Sequence, residues 1–437
     1  MQQKQNNRAL IWFRNNLRVH DNTSIFEALK NHNSVLALYC FDPRHFRVTQ
    51  FGFKKTEKFR ARFLIQTITD LKQQLSKLNI PLLIYQNTPE NCIPNIVSNY
   101  NIDAVYTQKE WTKEEVLVTD NLKKNLLNSI SFIENYDQFL FHPEDIELAK
   151  NEIPDVFTDF RKHLEKNSKV RTVISNINKG TSNVITENTL IPTLKDLGFH
   201  DYETHSNTAF PFQGGESNAL QRLHYYFFET KKLGVYKQTR NGLIGKDFSS
   251  KFSPWLANGS LSVRTIYWEV KRFEQEYFKN ESTYWLVFEL IWRDYFKYIS
   301  LKHQNNIFKI GGILKKTYDW NDDEKLIKNW IAGTTTEPFV NANMIELRKT
   351  GWMSNRGRQN VASFFAKALE LDWRIGAAYF ESMLLDYDVH SNYGNWMYVS
   401  GVGNDPRDRK FNIKLQAERY DAASKYQNVW LQNKLFE

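Results

Sequence analysis

Long apolar runs are missing from this sequence. No stretch approaches the ~20 apolar residues that a membrane-spanning helix needs, and the polar opening from Met1 to Arg8 lacks the apolar centre of a secretory signal. Cysteine is scarce, with two in 437 residues; Cys40 and Cys92 give neither a disulfide framework nor a zinc-ligand spacing. A soluble protein of a reducing, cytoplasmic interior is expected. No glycine precedes Gly52, so the first α/β segment has no glycine-rich dinucleotide fingerprint and need not hold a nucleotide. Internal repeats and low-complexity tracts are also absent.

Positive charge and aromatic rings are plentiful. The net charge of +9 favours a polyanionic partner, and aromatic residues make up 15% of the chain. Trp12 and Trp111 stand alone in the first half, while the other tryptophans fall between Trp255 and Trp430. That asymmetry assigns the halves different work.

Apolar runs at Ala9–Phe13, Val35–Phe41, Pro81–Tyr85, Ala104–Thr107 and Ser131–Ile133 predict strands. Helical patterns at Asn22–Lys30, Glu57–Leu78, Pro94–Tyr100 and Lys113–Leu127 alternate with them. This alternation predicts a doubly wound, parallel α/β domain over residues 1–141. Residues 142–213 read as an inter-domain connector crossing the surface, polar over Lys166–Asn188 and with a short helix at Phe157–Glu165. Residues 214–437 carry 3.6-period segments, from Ser217–Thr230 through Gly376–Leu385, and predict a large all-α domain.

Four segments of the helical half could carry chemistry. In Ser249-Ser250-Lys251-Phe252-Ser253-Pro254, Ser253 reads as an N-cap and Pro254 as the first helical residue. Hydroxyls and a lysine at a helix start make either a phosphate site or an ordinary capped helix. Glu289, Trp292 and Arg293 share a face of a mostly apolar helix, as an intrahelical ion pair or as a cavity wall for a flat polar ligand. Asn355-Arg356-Gly357-Arg358-Gln359-Asn360 offers arginines and amides suited to phosphate or base edges, or a solvated loop. Asp386 and Asp388 flank a turn whose lone His390 completes no metal set; the carboxylates would instead accept hydrogen bonds from a ligand.

Pro338 to Met344, Gly351 to Phe364, Asp372-Trp373-Arg374 and Asp386 to Tyr398 resemble the flavin domain of the photolyase–cryptochrome family. Gly357 to Phe364, Asn392-Tyr393-Gly394-Asn395-Trp396, Gly401 to Arg407, Tyr236 to Gly242 and Ile11 to Asn22 resemble its DASH cryptochromes in particular. The resemblance covers nearly the whole chain in order.

It implies FAD folded into the helical domain, with contacts from Tyr236, Ser249, Ser250, Lys251, Phe252, Ser253, Arg293, Asn355, Arg358, Asp386, Asp388 and Asn392. Trp396, Trp373 and Trp320 match an electron-transfer chain to the surface. Glu289, Trp292, Asn355, Gln359 and Tyr398 match the wall facing a cyclobutane pyrimidine dimer. Tyr398 stands where duplex-repairing relatives carry a second stacking Trp, and Asn355 and Gln359 replace the histidines of (6-4) photolyases. The implied function is blue-light repair of dimers, preferentially in single-stranded DNA, with non-specific binding of duplex DNA or RNA, by a monomer. The alternative is a blue-light photoreceptor with little repair; the end of the sequence soon after Trp430 favours the enzyme. For a folate antenna (methenyltetrahydrofolate) Glu110 is the one candidate contact, a plain surface glutamate being the other reading.

Overall fold

The computed structural model of the protein describes residues 7–175, 177, 179–180 and 189–432. The N-terminal half is a five-stranded parallel sheet: β1 Arg8–Phe13, β2 Ser34–Cys40, β3 Leu82–Tyr85, β4 Ala104–Gln108 and β5 Ser131–Asn135, in the order β3-β2-β1-β4-β5. Central β1 is buried from Ala9 to Phe13, as a strand covered on both faces must be. Ala9, Ile11 and Phe13 pack beneath helices Thr23–Asn31 and Lys58–Lys77, and Leu10 and Trp12 beneath Pro89–Tyr100 and Lys113–Asn125. The strand order reverses at β1, the expected doubly wound arrangement.

One predicted helix is longer than its pattern. Pro89 opens it at its first turn and Pro94 sits inside it, whereas the predicted start was Pro94; a proline N1 residue needs no donor. The stretch read as a surface connector is partly interior: Phe157, Phe160 and Leu164 of helix Phe157–Asn167, and later Phe199 and Phe210, are buried. Residues 176, 178 and 181–188 of that stretch lie outside the described residues.

Buried charge joins the halves. Arg18 is 2% exposed and donates to the carbonyls of His20, Asp21, Asp137 and Gly259. Asp21 pairs with Arg264 at 2.7 Å, and Glu216 accepts from the amides of Val19 and His20. Gly259 has φ +71°, and a Cβ there would stand 1.9 Å from the Asn15 carbonyl oxygen, so only glycine allows this close approach.

The C-terminal half is helical and shares one large core, in which Trp255, Trp330, Trp373 and Trp396 are among the largest fully buried side chains. Its central helix, Glu281–His303, starts at a capping box: the Asn280 side chain accepts from the Ser282 and Thr283 amides while Thr283 accepts from the Asn280 amide. That helix carries Glu289, Trp292, Arg293 and Lys297 toward the site. No helix among the described residues is long and apolar enough to cross a membrane.

Candidate flavin and lesion site

Ser354 caps helix Asn355–Ser363 by accepting from the Gly357 amide at 3.0 Å. A Cβ at Gly357 would meet Asn343 Oδ1 at 1.9 Å, so glycine lets this turn seat against the neighbouring helix. Arg358 follows, and its Nη2 donates to both oxygens of Asp386, at 2.9 and 3.0 Å. Asp388 caps helix Val389–Ser400 by accepting from Ser391 N, and its second oxygen accepts from Lys297 Nζ at 2.9 Å. Burial opposes the charge of Asp388, but Lys297, His390 and Arg293 outweigh it and hold the carboxyl far below its usual range. Asn392 is buried and donates to the Ala377 carbonyl.

Lys251 completes this wall. It is 4% exposed, takes the left-handed conformation (φ +64°) and lies over the Trp352 ring at 4.7 Å. Among the described residues it has no ion pair; burial pulls its ammonium down, only partly offset by the nearby Glu346 carboxylate. Ser249 and Ser250 are held through their carbonyls by Arg222, Tyr236 is buried, and Phe252 lies in the core. Ser253 departs from its predicted role: it is the first residue of a five-residue helix, Ser253–Ala257, and makes no cap hydrogen bond, Phe252 holding the cap position. A phosphate here would be held by charge, through Lys251 and Arg358, and not by a capped helix.

These residues fit FAD. A buried cation with no direct ion pair is costly unless an anion joins it, and a diphosphate is such an anion. Trp352 Nε1, Asn360 Oδ1 and Trp396 Nε1 are further buried polar atoms without partners among the described residues.

Glu289 and Arg293 do not pair, although they share a helix face. Arg240 reaches across from another segment to Glu289 at 2.5 Å, and Trp285 Nε1 donates to the same oxygen at 3.1 Å. Arg293 instead donates to the carbonyls of Gln138 (2.5 Å) and Leu256 (3.3 Å). Burial raises the Glu289 carboxyl, with Arg240 opposing. Trp292 is stacked on Phe157, with centroids 3.6 Å apart and planes 9° apart, and meets Tyr398 edge-on at 5.9 Å and 89°. Tyr398 accepts from Arg409 at 3.0 Å. Asn355 is exposed, and Gln359 accepts from Arg356 at 2.9 Å, which also reaches Asn241. Arg356 belonged to the arginine and amide turn singled out from sequence, but Arg240, Trp285 and Phe157 escaped the sequence reading as site residues; Arg240 lay within the Tyr236–Gly242 run, whereas the Phe157 stack had no local signal.

Trp396 is 2% exposed and its ring lies against Gly376, where a Cβ would be 2.2 Å from the indole. Gly376 is one turn from Trp373, which is fully buried and donates to the Ile310 carbonyl at 2.9 Å. A bridge between Asn321 and Leu371 lays the segment of half-buried Trp320 beside the start of the Trp373 helix. Trp396 thus lies against the helix that Trp373 opens, and the Trp320 segment lies beside the start of that helix. Trp330, unassigned from sequence, meets Trp396 edge-on at 6.3 Å.

Glu110 is no surface residue. It is 7% exposed, accepts from Gln108 at 2.8 Å, and burial raises its carboxyl to about 7. Beside it Trp111 stacks on His390 at 4.5 Å and donates to Ser300, which also bonds His390. Gln108 Oε1 and Gln138 Oε1 are buried without partners among the described residues. His390 is thus structural, and no group of metal-binding side chains occurs among the described residues.

The family model described as the FAD binding domain of DNA photolyase matches residues 285–434, and that of DNA photolyase matches residues 9–176. Cryptochrome DASH of Gloeobacter violaceus is 45% identical over 97% of this chain and 85% of its own length. Cryptochrome DASH of Danio rerio is 45% identical over 96% and 82%. The crystal structure of a Synechocystis cryptochrome superposes with a TM-score of 0.94 at 45% identity, covering 97% of this chain and 88% of that one. An archaeal photolyase from Sulfolobus tokodaii, solved with two FAD molecules, superposes with a TM-score of 0.79 at 25% identity over 98% and 91%.

Proposed function

The chain belongs to the photolyase–cryptochrome family, in its DASH cryptochrome branch, and binds FAD; from that premise we propose that it is a blue-light-dependent enzyme splitting cyclobutane pyrimidine dimers, above all in single-stranded DNA. FAD, when bound and reduced, supplies a light-excited electron donor. Lys251 and Arg358 balance the charge of its diphosphate. Asp386 and Asp388 accept from hydroxyl or ring N–H groups, and Asn392 presents a neutral amide. Tyr236, Ser249, Ser250, Phe252, Ser253 and Arg293 complete the walls, and Asn355 borders the lesion side. Trp396, Trp373 and Trp320 carry electrons inward from the surface.

At the lesion wall, Glu289, held by Arg240 and Trp285, hydrogen-bonds the dimer and stabilises the charge that develops on it. Gln359 and Asn355 border the same opening. The observation that carries the substrate form is the edge-on meeting of Trp292 and Tyr398, with one face of Trp292 already taken by Phe157. A dimer then gains one stacking face instead of a slot. Extruding it from a duplex costs a few kcal/mol, against about 1–3 kcal/mol per stacked base. A single strand has no pairing to break. Cationic surface holds either backbone, or RNA, without restoring discrimination. The buried polar site around Glu110 is the seat we assign to a folate antenna (methenyltetrahydrofolate). The protein acts as a cytoplasmic monomer.

The test is light-dependent loss of a single dimer from one oligonucleotide presented as a single strand, as intact duplex and within an unpaired bubble. Efficient repair of the first and third, with poor repair of the second, is expected. Equal rates on all three refute the stacking account, and no repair on any form, with FAD bound and photoreducible, makes the protein a photoreceptor.

A further inference from the structure

A hollow of about 510 Å³ opens beside Trp320, lined by Tyr318, Trp320, Lys309, Lys315, Lys316 and Arg374 among others. Its size suits a nucleotide-sized ligand. Arg374 is neutralised by Asp372 at 2.7 Å. Lys309, Lys315 and Lys316 have no ion pair among the described residues and stand exposed within one short loop, although Asp408 lies within electrostatic reach of Lys316. Lys315 takes a left-handed conformation (φ +53°) that glycine would adopt without strain. The loop is fixed from below by the electron path: Trp373 donates to the Ile310 carbonyl. Gly312, at φ +58°, lies so close to Val402 that a Cβ would stand 2.3 Å from its carbonyl oxygen, and Leu314 N donates to that same oxygen. Trp320 leans on Tyr318 with centroids 5.3 Å apart.

We propose that this hollow docks a planar, phosphate-bearing reductant of the reduced-nicotinamide class, which refills Trp320 with electrons. The proposal rests on Trp320 being the outer end of the electron path. Phosphates meet the three lysines, and the dihydronicotinamide ring lies against the Trp320 and Tyr318 rings. One electron passes from the docked ring to the one-electron-deficient Trp320 and restores the neutral indole. The donor sheds its C4 proton to water and gives its second electron in a later photochemical event, ending as the oxidised nicotinamide. The lysines serve twice: they steer an anion to the site, and they disfavour a positive hole on the adjacent indole, hastening its capture.

The test uses FAD-loaded protein. Dark binding of NADPH is followed by fluorescence anisotropy, and blue-light reduction of FAD is timed with NADPH or with the neutral reductant dithiothreitol. The surface variant Lys309→Ala/Lys315→Ala/Lys316→Ala should bind NADPH at least tenfold more weakly. It should lose at least tenfold in the NADPH-driven rate while keeping the dithiothreitol-driven rate within twofold. Unchanged NADPH affinity, or equal losses with both donors, overturns the proposal. So does NADPH binding no tighter than inorganic pyrophosphate, which marks an adventitious anion only. Trp320→Phe separates the underlying reading: photoreduction surviving it with both donors refutes the electron path, while the binding arm still judges the hollow.

Discussion

The two halves of the molecule bury charge differently. In the sheet half nearly every buried charge meets a partner: Asp21 with Arg264, Asp42 with Arg44, and Arg18 with four carbonyls. Among the described residues the exception is Glu110, held only by amides at 2.8 and 3.5 Å. In the helical half Lys297 and Arg358 are paired with Asp388 and Asp386. Among the described residues Lys251 has no ion pair, and nearby Glu346, whose carboxylate partly offsets it, is hydrogen-bonded by Tyr426 alone at 2.6 Å. An isolated buried charge weakens a fold. One that is kept at the wall of a ligand site is best explained by the charge or dipole that arrives with the ligand. The comparison therefore singles out one group in each half, Glu110 and Lys251, that no ion pair holds, and these are the groups we assign to the two proposed cofactor sites.

Arg358→Ala tests the paired class and carries the largest effect. It leaves Asp386 buried and alone, so chemical denaturation should show a loss of about 3–5 kcal/mol, and the purified protein should lack the flavin absorbance. Full flavin occupancy at wild-type stability would remove Arg358 from both roles.

Trp396→Phe and Trp373→Phe ask whether the aromatic core of the helical half conducts as well as packs. Each keeps most of the ring volume and should retain near-normal flavin, while blue-light reduction of FAD slows at least tenfold, about 1.4 kcal/mol in barrier. Unchanged kinetics in both would route electrons elsewhere, with Trp330 the first place to look.

Glu110→Gln probes the exception in the sheet half. Its carboxyl is raised to about 7 by burial, so the folded state holds a proton that the unfolded chain releases. Stability is therefore lost as pH climbs from the ordinary carboxylate range to about 7. Glutamine removes that loss: the variant should be more stable than wild type by about 3 kcal/mol at pH 8 and equal to it near pH 4. A variant that is less stable at pH 8 would show Glu110 to be a structural partner.

How much of this could be read in advance followed from how local each feature is. All five strands are apolar runs in β-favouring sequence, and they lie within a residue or two of their predicted limits. The helices of the second half were visible by period, but two of them, ending at Ser363 and at His224, run on into wider π-type turns at Phe364–Ala368 and Tyr225–Glu229, which no 3.6 period encodes. The partner of Glu289 lay 49 positions away in Arg240; same-face spacing suggested Arg293, and backbone carbonyls claimed that guanidinium instead. Glu110 could be named only by resemblance, since its burial is a property of the folded chain, where its neighbour Trp111 stacks on His390 from the other half. Lys251 was legible as a residue near phosphate, but its lack of a direct ion pair among the described residues is a property of the folded chain.

Lys251→Met tests the division of charges most directly, through two readings on one protein. Methionine keeps much of the side chain's length and removes the isolated cation. The account predicts that the FAD-free variant unfolds at higher denaturant than the FAD-free wild type, while its affinity for FAD falls at least tenfold. A variant that loses stability and keeps its FAD affinity would contradict it.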